Sequence, residues 1–323
     1  TGVGFQPDWV WVKNRSRNSN HTIVDVNRQS GTYPLSSSSS SAQDTDTNQI
    51  SALISDGFTV GSSTNTNANG ENLVAWNWKA GGSGSSNSDG SITSTVSANT
   101  TAGFSIVKWT GNETSGATVG HGLGAVPAVI FVKHTSAGES WCVYHKSKSN
   151  THSLFLDTTA VANSNAKYWN NTSPTSSFFY VGNGHEVNGN GDEMIAYVFA
   201  EKKGYSKFGD YTGNGNTDGP FIYTGFKPAL VIVKNTSATA NWVITDNKIS
   251  FNGKGSNESN VLFPSSNSGE SDAYGLQMYS NGFAFKGSDS ASATVNGSGN
   301  IFAYMAFAEA PLVGTNNIPA TAR

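Results

Sequence analysis

Gly4-Phe5-Gln6-Pro7-Asp8-Trp9-Val10-Trp11-Val12-Lys13-Asn14 stands at the head of the chain, and its pattern returns twice. The second copy is Gly124-Ala125-Val126-Pro127-Ala128-Val129-Ile130-Phe131-Val132-Lys133-His134, and the third is Gly225-Phe226-Lys227-Pro228-Ala229-Leu230-Val231-Ile232-Val233-Lys234-Asn235. The prolines are 120 and 101 residues apart, and a lysine follows each by six. A tryptophan follows by fourteen in the later copies (Trp141, Trp242), where the first has His21. A period of this length marks a tandem repeat of whole structural units. Each run is short, rich in β-branched and aromatic residues, and opened by a proline, so it reads as a β-strand.

The copies also close alike. The endings are Leu73-Val74-Ala75-Trp76-Asn77-Trp78, Met194-Ile195-Ala196-Tyr197-Val198-Phe199 and Ile301-Phe302-Ala303-Tyr304-Met305-Ala306-Phe307. Aligned on their aromatics, the third has one extra residue between Tyr304 and Phe307, which predicts a β-bulge. A strand precedes each ending: Gly57–Val60, Phe178–Val181 and Gly282–Phe285. Asn-Gly pairs, among them 69–70, 190–191, 252–253 and 281–282, signal tight turns. Nothing longer than a turn shows a 3.6-residue apolar period. The expected fold is therefore all-β: three tandem antiparallel β-sandwich repeats of jelly-roll type.

Copies two and three begin with further strands, Phe104–Thr110 with Ala117–Gly120, and Lys207–Thr212 with Phe221–Thr224. Copy one starts too near its proline to hold them. The first sandwich is expected to have an open edge and an uncovered core. The start at Thr1 rather than Met fits sequence continuing upstream, or a strand supplied by another chain. The expected domains are 1–80, an incomplete first repeat; 81–203, a linker and the second repeat; and 204–323, the third. Gly81–Gly103 is Gly/Ser/Thr-rich and reads as that linker, with a strand around Ser91–Val96. The shorter joint at Lys202–Tyr205 suggests that repeats two and three are held more tightly than one and two.

Composition narrows the partners. Of 323 residues only 13% are charged and the net charge is −3, so there is no basic face for a phosphate backbone and nucleic acid is not expected. No apolar run approaches 18 residues, so no membrane-spanning helix is expected either. Cys142 is the single cysteine, which leaves no disulfide within the chain and no thiolate metal site.

Chemistry-bearing patterns are sparse. Six histidines are present, none beside a nucleophile-elbow Gly-x-Ser-x-Gly. Glu270-Ser271-Asp272 is the nearest approach to a glucanase acid cluster and lacks a third acid; Glu186 and Asp192-Glu193 flank a turn. Asp44-x-Asp46-x-Asn48 copies the start of a calcium loop, but Gln49 stands where a glycine is needed and Ser55 where a bidentate glutamate belongs. It is a weak metal candidate, read as a solvated loop. No cofactor is implied. Trp9 and Trp11 share one sheet face and read as core, because their positions stay apolar but not aromatic in the other copies. Cys142 reads as buried. Lys13, Lys133 and Lys234 end the same strand in each copy and read as capping or edge-guarding residues. Tyr168, Trp169, Asn170 and Asn171 fall outside the repeated strands and are the best glycan-contact candidates.

Gly4–Ser16, Val74–Gly82 and Gly204–Gly209, with Tyr168–Thr172 and Ala306–Glu309, resemble a repeat module of tail-fibre and other virion-surface proteins of tailed bacteriophages. The resemblance covers nearly the whole chain. It implies a concanavalin-like sandwich on a virion, often at the end of a longer fibre, and Pro319–Arg323 looks like such a protein's C-terminus. It carries over no catalytic or binding residue. The expected function is that of a non-enzymatic virion structural protein, extracellular, the distal part of a tail fibre that binds a host surface glycan. Its expected partners are further copies of itself, most naturally as a trimer, and other virion proteins. Two alternatives are a capsid-decoration or filament subunit joined through the open edge of repeat one, and a polysaccharide-depolymerising enzyme on a lectin-like fold.

Overall fold

Val129–His134 pairs on one side with Cys142–His145 and on the other with Glu193–Phe199, which in turn pairs with Phe104–Thr110. This four-strand order is the principal sheet of the second repeat. The third repeat repeats it with Trp242–Asp246, Leu230–Asn235, Ile301–Phe307 and Ser206–Thr212. The first repeat has Thr22–Asp25, Trp9–Asn14 and Leu73–Trp78, and no strand among the described residues takes the fourth place. A smaller sheet faces each: Ile50–Ile54 with Gly57–Val60, Ala117–Gly120 with Phe178–Val181, and Ile222–Tyr223, Gly282–Phe285 and Leu276–Tyr279. The structure, a computed structural model, describes residues 2–28, 31–249, 260–287 and 291–309. The turn at 252–253 and the ending at 319–323 lie outside them.

Every one of these pairings is antiparallel, and the protein is an all-β sandwich array. Helix among the described residues is confined to single turns: Thr64–Asn67, Ala166–Trp169, His185–Asn188 and the 3-10 turn Lys146–Lys148. None is long and apolar enough to cross a membrane. The missing opening strands have the expected effect. The core of the second repeat draws Val107, Trp109, Ala117 and Val119 from those strands, and the third draws Tyr211 and Ile222. In the first, Val10, Val12, Val24 and Ile50 are buried, while Phe58, Val60, Leu73 and Ala75 are only partly covered.

Two expectations are corrected. The third ending carries no bulge. Ser206 to Thr212 pair in unbroken register with Phe307 to Ile301, and Leu230 faces Phe307 just as Val129 faces Phe199. Tyr304 therefore occupies the place of Ala196, not of Tyr197. The larger ring is accommodated because its cross-strand neighbour is Gly209, where the second repeat has Val107 facing Ala196. A Cβ on Gly209 would lie 3.0 Å from the Tyr304 ring.

Nor is Gly81–Gly103 a free linker. Ser94–Asn99 adds to the edge of Phe104–Thr110, and Ser85–Asn87 adds beyond it, which extends the principal sheet of the second repeat to eight strands. Ile92 and Val96 enter its core. Small hydroxyls satisfy the crossing backbone: Ser97 Oγ accepts from Gly81 N and donates to Gly82 O, and Ser94 Oγ donates to Gly120 O.

The described chain groups into two compact units. One holds Thr1–Thr158, Asn163–Ala200 and Ser265–Gly269; the other holds Thr159–Ala162, Glu201–Pro264 and Glu270–Arg323. Repeats one and two thus share a unit, where the sequence suggested the looser joint. The reason is the second face of the strand Trp9–Asn14, which is buried on both sides. Val10 and Val12 enter the first core, whereas Trp9 stacks on Tyr197 of the second repeat at 4.5 Å and lies 5.6 Å from Phe104. Trp9 and Trp11 are core as expected, but Trp9 packs on the principal sheet of the second repeat. A buried ion pair adds to the junction: Arg28 Nε meets Asp25 Oδ2 at 2.7 Å, and Tyr197 Oη donates to the same oxygen at 2.8 Å.

Candidate functional site

Within the first repeat the chain between Thr22–Asp25 and Ile50–Ile54 is long and polar, and it carries six consecutive serines, Ser36–Ser41. Such a loop has no core of its own and must be held by its backbone groups. The second repeat supplies the hold. Trp141 Nε1 donates to Ser36 O at 2.8 Å, Lys133 Nζ donates to Ser40 O at 3.0 Å, and Gln43 N donates to Thr135 O at 2.9 Å. Leu35 bridges back to Ile23 by a pair of backbone hydrogen bonds. The loop is thereby propped over the sheet and encloses a cavity of about 440 Å³.

Amides, hydroxyls and one carboxylate make up most of the cavity wall: Asn20, Ser36, Ser41, Gln43, Asp44, Gln49 and Asn65, with Pro34 and Leu35 as apolar floor. His21 also lines it. Its Nδ1 accepts from Trp11 Nε1 at 2.8 Å, which places the ring proton on Nε2. Thr22 Oγ1 donates to Gln49 Oε1 and fixes that amide. The site is neutral apart from Asp44. Such a wall can offer donors and acceptors at close spacing to a hydroxyl-rich ligand, and Asp44 is its one acid among the described residues.

A second cluster lies in the second repeat. His134, His185 and Asp192 bring one ligand atom each within 4.8 Å of the others, the arrangement a metal ion would need. The rings of His134 and His185 are stacked at 5.8 Å, and His134 Nε2 is 3.1 Å from Asp192 Oδ2. Comparison of the repeats argues for a structural role. His134 Nδ1 accepts from Ser136 N and Ala137 N. Asn235 Oδ1 accepts from Ser237 N and Ala238 N in the third repeat, and Asn14 Oδ1 from Ser16 N in the first. All three side chains close the same turn. The matching donor, Asn Nδ2, reaches Glu71 in the first repeat and Ala293 O in the third. With Nδ1 occupied as an acceptor, the proton of neutral His134 sits on Nε2, so that nitrogen has no lone pair for a metal. Its hydrogen faces Asp192 at poor angle, which leaves it without a proper partner.

A family model matches residues 1–311. The chain belongs to that family, a domain of unknown function, DUF7483. The description carries no activity and no binding partner. No curated protein and no solved structure matches the chain.

In this DUF7483 chain the residues singled out by sequence separate into two groups. Tyr168 and Trp169 are not a surface platform: they are 4% and 1% exposed, inside the second core. The turn Ala166–Trp169, capped by Asn165, rolls both rings inward, where Trp169 meets Tyr144 edge-on and Tyr168 meets Phe155. Asn170 and Asn171 stay at the surface, both with positive φ, and Asn170 Oδ1 accepts from Ser115 Oγ. Asp44, Asp46 and Asn48 form successive Asx turns, in which Asp44 Oδ1 accepts from Asp46 N and Asp46 Oδ1 accepts from Asn48 N. Their oxygens serve the loop backbone and gather no third acid ligand.

The remaining acids are already engaged. Glu186 pairs with Lys167 at 2.6 Å, Glu193 with Lys108 at 3.5 Å, and Glu270 accepts from Asn260 Nδ2. Cys142 is free and buried as expected, and burial pushes its thiol well up, away from reactive thiolate.

The three lysines are a feature the sequence read too weakly. Lys13, Lys133 and Lys234 are fully buried, and none forms an ion pair with a carboxylate among the described residues, although Asp157 and Glu139 act on the charge of Lys133. Their ammonium groups are caged by backbone carbonyls. Lys133 Nζ donates to Ser40, His134, Ala137 and Glu139; Lys234 to Thr159 and Ala240; Lys13 to Asn14 and Arg17. Burial brings each down to about 8 from the ordinary 10.5. The recurring lysine six residues after each proline was the available signal; its surroundings were not.

Proposed function

We propose that this chain is a non-enzymatic surface protein of a tailed-phage particle, the distal part of a tail fibre, and that its first repeat binds a neutral host glycan in the cavity beneath the serine loop. The observation that carries the reading is the cavity wall of Asn20, Gln43, Asp44, Gln49 and Asn65, with the serines of the loop above it. A sugar ring presents several hydroxyls, each both donor and acceptor. Amide side chains match that pattern, and a lone carboxylate accepts from a vicinal diol without drawing in cations. The low charge of the whole chain supports the same ligand class. Single sites of this kind bind weakly, and several copies on one fibre, as in a trimer, raise the avidity.

The test is adsorption of the purified chain to candidate host cells and to a glycan array, beside Gln43→Ala and Asp44→Asn. Binding lost in both variants agrees with the reading. Binding to no cell and no glycan, or binding indifferent to both substitutions, defeats it. Labelling native particles with antibody and viewing them by electron microscopy tests the tail-fibre placement.

A second reading has its own observation. Leu73–Trp78 is paired on one side only, and Leu73 and Ala75 are half-covered at that edge. A strand from another chain could complete the first sandwich, as in a decoration or filament subunit. In that case the particle map would show foreign density beside Leu73–Trp78.

A further inference from the structure

Large apolar side chains are rarely exposed here, and two of the five that are among the described residues lie at the short strand Ile222–Tyr223 of the third repeat: Phe221, just before it, is 51% exposed and Tyr223 is 64% exposed. Their neighbours are set by the register. Tyr223 faces Gly282, and Gly282 faces Tyr279; two residues along the strand, Gln277 faces Ala284. Paired residues project from the same side of a sheet. Ile222, Phe283, Leu276 and Phe285 take the other side and form the core. The outer side of this sheet therefore has a floor of small, covered residues, Gly282 and Ala284, bordered by the rings of Phe221, Tyr223 and Tyr279.

Phe221 lies across that floor. A Cβ on Gly282 would fall 2.6 Å from Phe221 Cζ, so this glycine is what lets the ring come so close to the strand. The ring contacts Gly282 and still leaves half of the residue's surface open. Tyr279 stands beside it at 5.7 Å and 69°, making an L-shaped corner. Tyr279 Oη donates to Gln277 Oε1 at 2.6 Å, which ties up the amide oxygen and leaves its N–H groups as the donors. Exposed Ser280 and Asn281 continue the polar rim at the adjoining turn.

We propose that this outer face, Phe221, Tyr223 and Tyr279 with Gln277, is a saccharide-binding platform that stacks a pyranose ring of a neutral polysaccharide. The C–H face of a pyranose is apolar and flat, and its rim is all hydroxyl. The exposed aromatic rings meet the first, and an amide with a hydroxyl-bearing turn meets the second. The rings are few and set among polar groups, too small a patch for a protein interface of ordinary size. The proposal shares its ligand class with the cavity of the first repeat but uses none of its residues.

Affinity electrophoresis of the full chain through gels containing laminarin, dextran or mannan tests it. Phe221→Ala and Tyr223→Ser change exposed groups, so the fold should persist, and unchanged thermal unfolding checks that. At least one polysaccharide should retard the wild type. Each substitution should weaken binding about fivefold, and the pair more than tenfold. Tyr279→Phe, which keeps the ring and frees the amide, should weaken it less. No retardation by any of the three polymers overturns the platform, and so does retardation unchanged in the double variant. If retardation is lost in Gln43→Ala but not in the double variant, the platform fails and the cavity stands. The reverse result sinks the cavity and leaves the platform.

Discussion

Replacing each caged lysine with methionine keeps the apolar stem and removes the ammonium. The three sites are equivalent in the repeat and alike in burial, and each ammonium is brought to about 8. Burial is the leading cause at all three, but Asp157 and Glu139 offset part of it at Lys133, whereas Arg17 adds to it at Lys13. The cage differs as well. Lys133 has four carbonyl acceptors, at 2.7, 2.8, 3.0 and 3.3 Å; Lys13 has two, at 2.5 and 3.3 Å. A hydrogen bond to a charged group contributes about 1.5–3 kcal/mol. An ammonium has three protons, so the four acceptors at Lys133 hold at most one full bond more than the two at Lys13, and Lys133→Met should cost about 2 kcal/mol more than Lys13→Met, or roughly 4–8 °C in midpoint for a unit of this size. Both residues lie in the same compact unit, so one unfolding transition reports both. Thermal unfolding followed by tryptophan fluorescence is the assay. Lys133→Met should also release the serine loop, since Ser40 O loses its donor, and limited proteolysis within Ser36–Ser41 should rise in that variant alone. Equal midpoints for Lys133→Met and Lys13→Met would refute the carbonyl-cage account.

The same lysines predict an alkaline rise in stability. Between pH 8 and 10.5 the unfolded chain keeps lysine protons that the folded chain has released, so stability increases with pH, by about 1–2 kcal/mol per lysine up to pH 9.5. Above about pH 10 the buried hydroxyls of Tyr197, Tyr211 and Tyr304, all raised by burial, reverse the trend, because the unfolded tyrosines ionise first. Denaturant midpoints falling steadily from pH 7 would contradict this. Exchanging the pair Gly209 and Tyr304 for that of the second repeat tests the volume argument. Gly209→Val alone should cost about 1–3 kcal/mol and Tyr304→Ala about 3–5 kcal/mol, whereas the double variant should cost at least 1 kcal/mol less than their sum in a double-mutant cycle. His134→Asn should be tolerated within about 1 kcal/mol and His134→Ala should lose about 1–3 kcal/mol. Adding zinc should leave the melting midpoint of the wild type unchanged, and a rise of several degrees would restore the metal reading.

Strand content, repeat number and the short start of the first repeat were legible because alternation and turn chemistry are local, and because three copies align on proline and lysine. The bulge was misread for a related reason: sequence alignment matched Tyr304 to Tyr197 by ring chemistry, whereas the sheet matches it to Ala196 by register. Composition made Gly81–Gly103 look like a linker, since serine and threonine give no apolar signal even when a sheet edge recruits them. Tyr168 and Trp169 were misplaced because a single helical turn between polar residues carries too few positions to show which way its rings face.

By itself the sequence determined that the chain is built of three β-sandwich repeats, that the first begins without opening strands in this sequence, and that its charges are few and nearly balanced. Period-two alternation says which residues share a face; it does not say what covers that face. Only the tertiary structure decided that Trp9 stacks on Tyr197 of the second repeat, that the recurring lysines end in carbonyl cages, and that the serine loop is propped over a cavity. It also decided that the exposed aromatics are those beside Gly282 and not those of the turn at Trp169. These are contacts between residues up to 188 positions apart, and no local rule of backbone or side chain encodes them.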